Sequence, residues 1–269
     1  GAPLLVVVPT LEEAGRWTAL LELMGWGQAS LYPTSEGSPY EPFDPTSEIT
    51  WGQLQVLSDL LGEPNAASWA IVATERCLQP HLPPPDVLKT KTRTLRKGDE
   101  VDLEALGETL AQLGYERVTT IEQEGSWSRR GDIVDIFPVS SELPVRLEFF
   151  GEELDKLREF DPASQRSLDP VDALRLTPTG FGPLIADQLR ETMPDGLEQL
   201  LGSEGTEQLL NGGTPEGMRR LMGLAWEQPA SLLDYLPDTT TVVIDERRQG
   251  LAHGQQWLSH VEEHHHDMA

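Results

Sequence analysis

Hydrophobic positions at the start of the chain follow the pattern of a strand that leads into a helix. Leu4–Val8 is a continuous apolar run, which is typical of a parallel strand buried on both faces. Pro9 and Thr10 follow it, and the spacing of Leu11–Met24 is helical, so we expect Thr10 to cap that helix. Alternation of strand and helix predicts an α/β layer with parallel strands. The next predicted elements are a loop at Tyr32–Pro45, a helix at Ile49–Leu61, a strand at Ala70–Ala73 and a helix from Thr74 to His81.

The periodicity changes in the middle of the chain. Asp102–Leu113 has helical spacing, and short β-rich runs follow it, so this part predicts a small α+β domain. We therefore predict an α/β domain of residues 1–89 and 178–269, split by an inserted domain of residues 90–177. The strands predicted within the insertion are Val118–Glu122, Ile133–Phe137, Leu143–Phe150 and Leu154–Phe160. The elements predicted after it are helices at Leu184–Thr192, Leu197–Leu210 and Pro215–Leu224, and an apolar strand at Thr240–Ile244.

One predicted strand has an unusual polar face. In Leu143–Phe150 the period of two places one set of residues on the core side, namely Val145, Leu147 and Phe149. Arg146, Glu148 and Phe150 fall on the other side. Arg beside an aromatic residue is typical of a protein-binding surface. The alternative is that Phe150 turns into the core of a loop at the strand end, since single exposed apolar residues are common.

Charge limits the classes of partner. The net charge of −25 argues against a grip on the phosphate backbone, so we expect weak or no direct DNA binding. Residues 89–176 hold 13 of the 20 Lys and Arg and 19 of the 45 Asp and Glu, which suggests a locally distinct surface for a partner protein. The longest apolar run is far too short for a membrane span. The single Cys77 allows no internal disulfide and fits a reducing compartment, so we expect a cytoplasmic protein.

Enzymatic chemistry has one candidate. Asp245 and Glu246 end a hydrophobic strand, as the carboxylates that position Mg²⁺ do in nucleotide hydrolases. The phosphate loop that such a site needs, Gly-x-x-x-x-Gly-Lys-[Ser/Thr], occurs nowhere in the sequence. We therefore interpret the pair as a remnant or a surface turn, with a live site as the alternative. His264–His266 make a poor metal site because no spaced fourth ligand accompanies them. We expect no cofactor, no metal and no catalytic residue.

Longer motifs carry a resemblance. The string RRGDIVDIFP, followed by LPVRLEFFGEELDKLREFDPASQRS, closely resembles the UvrA-interacting domain shared by UvrB and the transcription-repair coupling factors. The ending FDPASQRS is more similar to the coupling factors. In that family the matching residues contact UvrA, which implies this role for Arg130, Arg146 and Phe150. Arg129 replaces what is more often a small or polar residue there, and its role stays open.

The resemblance extends over almost the entire chain and implies a function. It suggests the N-terminal, UvrB-like module of a coupling factor, with a helicase-like parallel-sheet domain that lacks a working nucleotide site. Such a module is a non-enzymatic adaptor that binds UvrA and recruits excision repair to lesion-stalled RNA polymerase. The full-length protein would be an ATP-dependent DNA translocase that contacts RNA polymerase and DNA through other domains. The alternative is a fragment of a UvrB-type ATP-dependent DNA helicase.

Overall fold

The computed structural model describes residues 3–35, 37, 45, 47–62 and 69–268, with side chains as far as residue 263. The chain divides into two compact units. The middle unit is Asp86–Pro183, and the outer unit combines Gly1–Pro85 with Leu184–Ala269. The predicted limits of the insertion, 90 and 177, lie four and six residues inside the middle unit. Most of the loop predicted at Tyr32–Pro45 lies outside the described residues.

Twelve strands and eight α-helices occur in the described part of the chain. The strands are β1 Leu4–Val8, β2 Gln28–Tyr32, β3 Trp69–Thr74, β4 Arg93–Arg96, β5 Glu116–Arg117, β6 Ser126–Arg130, β7 Ile133–Phe137, β8 Val145–Phe150, β9 Glu153–Phe160, β10 Ser167–Pro170, β11 Ala173–Leu176 and β12 Thr241–Ile244. The helices are α1 Leu11–Leu23, α2 Ser47–Leu61, α3 Pro85–Lys91, α4 Leu103–Gln112, α5 Gly182–Thr192, α6 Leu197–Leu210, α7 Met222–Ala225 and α8 Arg247–Met268.

The outer unit contains the parallel sheet that the strand–helix alternation predicts. Its strand order is β12-β1-β3-β2, and every neighbouring pair is parallel. On one face Val6 and Val8 pack with Ala14 and Leu21 of α1. Leu5 and Val7 are buried as well, so the central strand is covered on both faces, which explains its continuous apolar sequence. Thr10 caps α1 as predicted, because its hydroxyl accepts a hydrogen bond from the Glu13 backbone N–H at 3.2 Å.

A buried tyrosine and a half-buried histidine are paired in the outer unit. The Tyr32 hydroxyl and His81 Nε2 are 2.6 Å apart, and His81 Nδ1 lies 2.6 Å from the Gln79 carbonyl oxygen. Burial lowers the pKa of His81 to about 4, although the hydrogen bond that the Gln79 carbonyl accepts from the ring acts in the opposite direction. Burial also raises the pKa of Cys77 to about 12, as expected of a thiol that packs in the interior.

The middle unit is built on a six-stranded sheet of order β10-β9-β8-β7-β6-β5. The pairs are antiparallel except for β5 with β6, and β4 pairs with β11 in a separate ribbon. One face of the sheet carries a hydrophobic core to which α4 contributes Leu106 and Leu110. Asp102 caps α4 by accepting hydrogen bonds from the backbone N–H groups of Glu104 and Ala105.

Three predicted elements are wrong in detail. Val118–Glu122 is not a strand, because Ile121 turns inward to pack with Phe137 and Phe160. The helix predicted from Thr74 to His81 is a single 3₁₀ turn at Glu75–Leu78. The helix predicted at Pro215–Leu224 is a 3₁₀ turn at Met218–Leu221 followed by the four residues of α7.

Candidate partner-binding surface

The side chains of β8 alternate strictly between the two faces of the sheet. Val145, Leu147 and Phe149 are buried in the core, whereas Phe150 is 84% exposed. The pairing of β8 with β9 shifts after Glu148, and the extra residue lies in β9, so the alternation of β8 continues to its end. The alternative that Phe150 turns into a loop core is therefore wrong. We call the face opposite the core the outer face.

Arg146 on the outer face is held by a buried carboxylate. Asp135 lies directly opposite it on β7. Arg146 Nε donates to Asp135 Oδ1 at 2.7 Å and its Nη2 donates to Oδ2 at 2.9 Å, a bidentate pair. Asp135 is 1% exposed and the Arg146 side chain 15% exposed. Hydrogen bonding to Asp135 raises the pKa of Arg146, so the guanidinium is charged at any physiological pH.

Arg130 shares the same carboxylate. Its Nη2 donates to Asp135 Oδ2 at 3.0 Å, while the side chain remains 61% exposed. Two guanidinium groups therefore meet one carboxylate, and this pair of arginines retains a net positive charge. Because Arg130 and Asp135 lie on β6 and β7, the strand pairing of the sheet brings both arginines together.

Arg129 lies on the opposite side of the sheet from Arg130. Its Nη1 donates to Glu104 Oε1 on α4 at 2.7 Å, and its Nε donates to the Gly131 carbonyl at 3.2 Å. Successive residues of a strand point to opposite faces, so only one of two adjacent arginines can join the outer face. Arg129 therefore lies on the side of the sheet that faces α4 and not on the outer face.

Arg146 has two further contacts, with Phe160 and Gln165, that the sequence pattern does not predict. The Phe160 ring lies under the guanidinium, with the Arg146 Cζ atom 4.7 Å from the ring centroid. The Gln165 carbonyl accepts a long hydrogen bond of 3.4 Å from Arg146 Nη1. Asp135 could have been found from the sequence, because an Asp between Val134 and Ile136 in a β-rich run requires a cationic partner when it is buried.

The Asp245 carboxylate accepts two hydrogen bonds within the outer unit. Its Oδ2 accepts a hydrogen bond of 2.8 Å from the Trp17 indole N–H, and its Oδ1 accepts one of 3.0 Å from the Glu246 backbone. The backbone of Glu246 is left-handed, with φ of 44°. This geometry is that of a turn closing the edge strand β12, and it agrees with the interpretation of Asp245 and Glu246 as a surface turn.

Metal sites and membrane-spanning helices are two further possibilities that the described residues allow us to assess. Within the described ranges no group of three or more His, Cys, Asp or Glu is arranged to hold a metal ion. The side chains of His264–His266 lie outside the described residues. Of the helices that the structure describes, none combines the length and apolarity needed to cross a bilayer.

Comparison with known proteins finds one family match, which lies within the middle unit. Residues 94–180 match the family model described as UvrB interaction domain. The transcription-repair-coupling factor of Bacillus subtilis is 28% identical over 263 residues, which cover 91% of this chain and 22% of that protein. The one from Haemophilus influenzae is 30% identical over 257 residues, covering 91% and 22%. The one from Escherichia coli is 31% identical over 213 residues, covering 77% and 18%. The chain thus spans about a fifth of the length of these relatives.

Proposed function

Given that this chain carries a UvrB interaction domain and is similar along most of its length to transcription-repair-coupling factors, we propose that it is an adaptor module that binds UvrA. Its contact surface is the outer face, with Arg130, Arg146 and Phe150 as the binding residues. In the whole protein this module recruits excision repair to stalled RNA polymerase, and the translocase activity and the RNA polymerase and DNA contacts belong to other domains.

The observation that carries the proposal is the exposure of Phe150 on the same face of the sheet as Arg130 and Arg146. Folding leaves 84% of Phe150 exposed to water, so its ring can still gain the free energy of burial when it contacts a partner. Arg130 and Arg146 supply charged hydrogen-bond donors that suit carboxylates on the opposing surface. An exposed aromatic residue and arginines on one face are typical of the composition of an interface hot spot.

Calorimetric titration of UvrA with the chain tests the proposal. We expect the double variant Arg146→Ala, Phe150→Ala to lose binding, because one such anchor typically contributes about 2 kcal/mol, or roughly 30-fold in affinity. Since removal of Arg146 leaves Asp135 with less compensation, Phe150→Ala alone serves as the variant without a folding penalty. Arg129→Ala combined with Leu23→Ala is the matched control, an arginine from the core side and an exposed leucine from α1.

Binding that survives Phe150→Ala unchanged would contradict the proposed surface. Failure of the unmodified chain to bind UvrA would contradict the adaptor function itself. The competing function, a UvrB-type helicase fragment, requires nucleotide binding. A rise in melting temperature with ATP and Mg²⁺ would favour it, and the bond between Asp245 and Trp17 leads us to expect no such rise.

A further inference from the structure

Arg146 is contacted from three sides, and the third contact comes from an irregular turn. Asp135 holds one edge of the guanidinium and the Phe160 ring lies beneath it. The remaining contact is the backbone carbonyl of Gln165, which accepts from Arg146 Nη1. A guanidinium held on two edges and one face cannot rotate without breaking a contact, so these neighbours fix the direction in which its remaining N–H groups point.

The backbone of Gln165 is in a conformation that its residue type disfavours. Its φ is 60°, in the left-handed region that non-glycine residues seldom occupy. The side chain stabilises this conformation, because its amide Nε2 donates to the carbonyl oxygens of Ile121 at 2.9 Å and Pro162 at 2.6 Å. Two hydrogen bonds of the Gln165 side chain therefore stabilise the left-handed conformation of its own backbone.

The rest of the turn closes around the same residue. The Gln165 N–H donates to the Asp161 carbonyl at 2.7 Å, and the Asp161 N–H donates to the Arg166 carbonyl at 3.0 Å. Asp161 Oδ1 also accepts a hydrogen bond from the Ser164 N–H at 2.6 Å, and this bond lowers the pKa of Asp161. Ile121, which receives the Gln165 amide, is completely buried with Phe160. The turn is thus anchored to the small cluster that also contains the ring under Arg146.

We propose that Gln165 is a positioning residue for Arg146, and that the turn Asp161–Arg166 serves to hold the Gln165 carbonyl against the guanidinium. The proposal rests on the proposed function only in that Arg146 contacts a partner; the immobilisation of Arg146 is a property of the free chain. Gln165 acts through Arg146 and has no direct contact with the partner.

Nuclear magnetic resonance of the free chain gives the first test. Side-chain ¹⁵N signals of Arg146 are assigned by their disappearance in Arg146→Lys. In the unmodified chain we expect separate Nη1 and Nη2 signals, because rotation about the Nε–Cζ bond is slow. In Gln165→Ala the exchange between these two signals should become faster and broaden them, although Asp135 still holds one edge, while the backbone amide spectrum outside the turn is retained. Gln165→Glu keeps the size of the side chain but removes both amide donors, and it should act in the same way. Gln123→Ala, an exposed glutamine, is the control and should leave the signals unchanged.

Affinity for UvrA gives the second test. We expect Gln165→Ala to weaken binding roughly fivefold, and to have no further effect in an Arg146→Lys background, because residues that act through one another are not additive. Equal effects in both backgrounds would overturn the proposal, as would Nη signals that do not change in either Gln165 variant. If the unmodified chain fails to bind UvrA, the proposed function fails, and the resonance test still decides the positioning of Arg146.

Discussion

Asp135 determines the electrostatics of the outer face at the level of single residues. It is buried and accepts hydrogen bonds from two arginines, an arrangement in which hydrogen bonds and opposite charges offset the loss of solvation. If Asp135 is removed, Arg146 remains largely buried without its counter-ion, whereas Arg130 stays exposed to solvent. The geometry of the two proposed binding arginines therefore depends on a residue that need not contact a partner itself.

The first prediction concerns this carboxylate. Asp135→Asn keeps the size of the side chain but removes the charge, and we expect the free energy of unfolding to fall by about 3 kcal/mol because Arg146 loses its counter-ion. Urea denaturation measures the change. Asp132→Asn, an exposed neighbour, should stay within about 0.5 kcal/mol of the unmodified chain. Equal stability of the two variants would contradict the structural role of Asp135.

The second prediction concerns pH. The unfolded chain protonates His81 near 6.5, whereas the folded chain does so only near 4, so the unfolded state binds more protons between these values. The free energy of unfolding therefore keeps the whole contribution of His81 above about pH 6.5. On acidification this contribution falls, by about 3 kcal/mol at pH 4. Unfolding free energies at pH 7 and pH 4, compared with those of His81→Gln, measure the contribution. A pH dependence that is the same in the variant would rule it out.

At the scale of elements, a strand could be predicted where its own sequence pattern marks it and was missed where that pattern is weak. The alternation of β8 and the apolar run of β1 were predictable because burial on one or both faces leaves a direct mark in the sequence. β2, with the sequence QASLY, was missed because its partner β3 lies far along the chain. β6, with SWSRR, forms a hairpin with β7 but was missed because most of its residues are polar. The sequence indicates that Asp135 needs a cationic partner, but it does not show that this partner is Arg146, or that Phe160 and Gln165 contact Arg146, because these contacts depend on strand register and on an unusual turn.

The third prediction compares two glycines at helices. Gly114 ends α4 with φ of 90°, and a Cβ there would collide with the Thr179 side chain. Gly114→Ala should therefore lower the free energy of unfolding by more than about 1 kcal/mol. Gly15 lies within α1 in open space, so Gly15→Ala should raise it by roughly 0.5–1 kcal/mol. Thermal denaturation of both variants checks the opposite signs, and two shifts of the same sign would contradict this account.

At the scale of the whole molecule, the middle unit contains everything that the proposed surface needs. Its core of sixteen buried residues, the outer face and the turn at Gln165 all lie within Asp86–Pro183. The chain as a whole has a net charge of −25, and the arginines of the outer face form a local exception to it. Recognition and overall charge are thus separate properties of this protein.

The fourth prediction follows from that self-sufficiency. A fragment of residues 86–183 should unfold cooperatively and bind UvrA within about twofold of the full chain, because a unit with its own core can fold alone. Circular dichroism and calorimetric titration measure the two properties. A folded fragment that fails to bind, while the full chain binds, would show that the outer unit contributes to the contact.

The unequal exposure of the two arginines has a kinetic consequence, which is the fifth prediction. Arg130 projects into solvent, so its charge acts on an approaching partner, and Arg130→Ala should mainly slow association and reduce its dependence on salt. Arg146 is already immobilised, so Arg146→Lys should mainly shorten the lifetime of the complex. Stopped-flow measurements at two salt concentrations separate these rates. One arginine would then govern how often the partners meet, and the other how long they stay together.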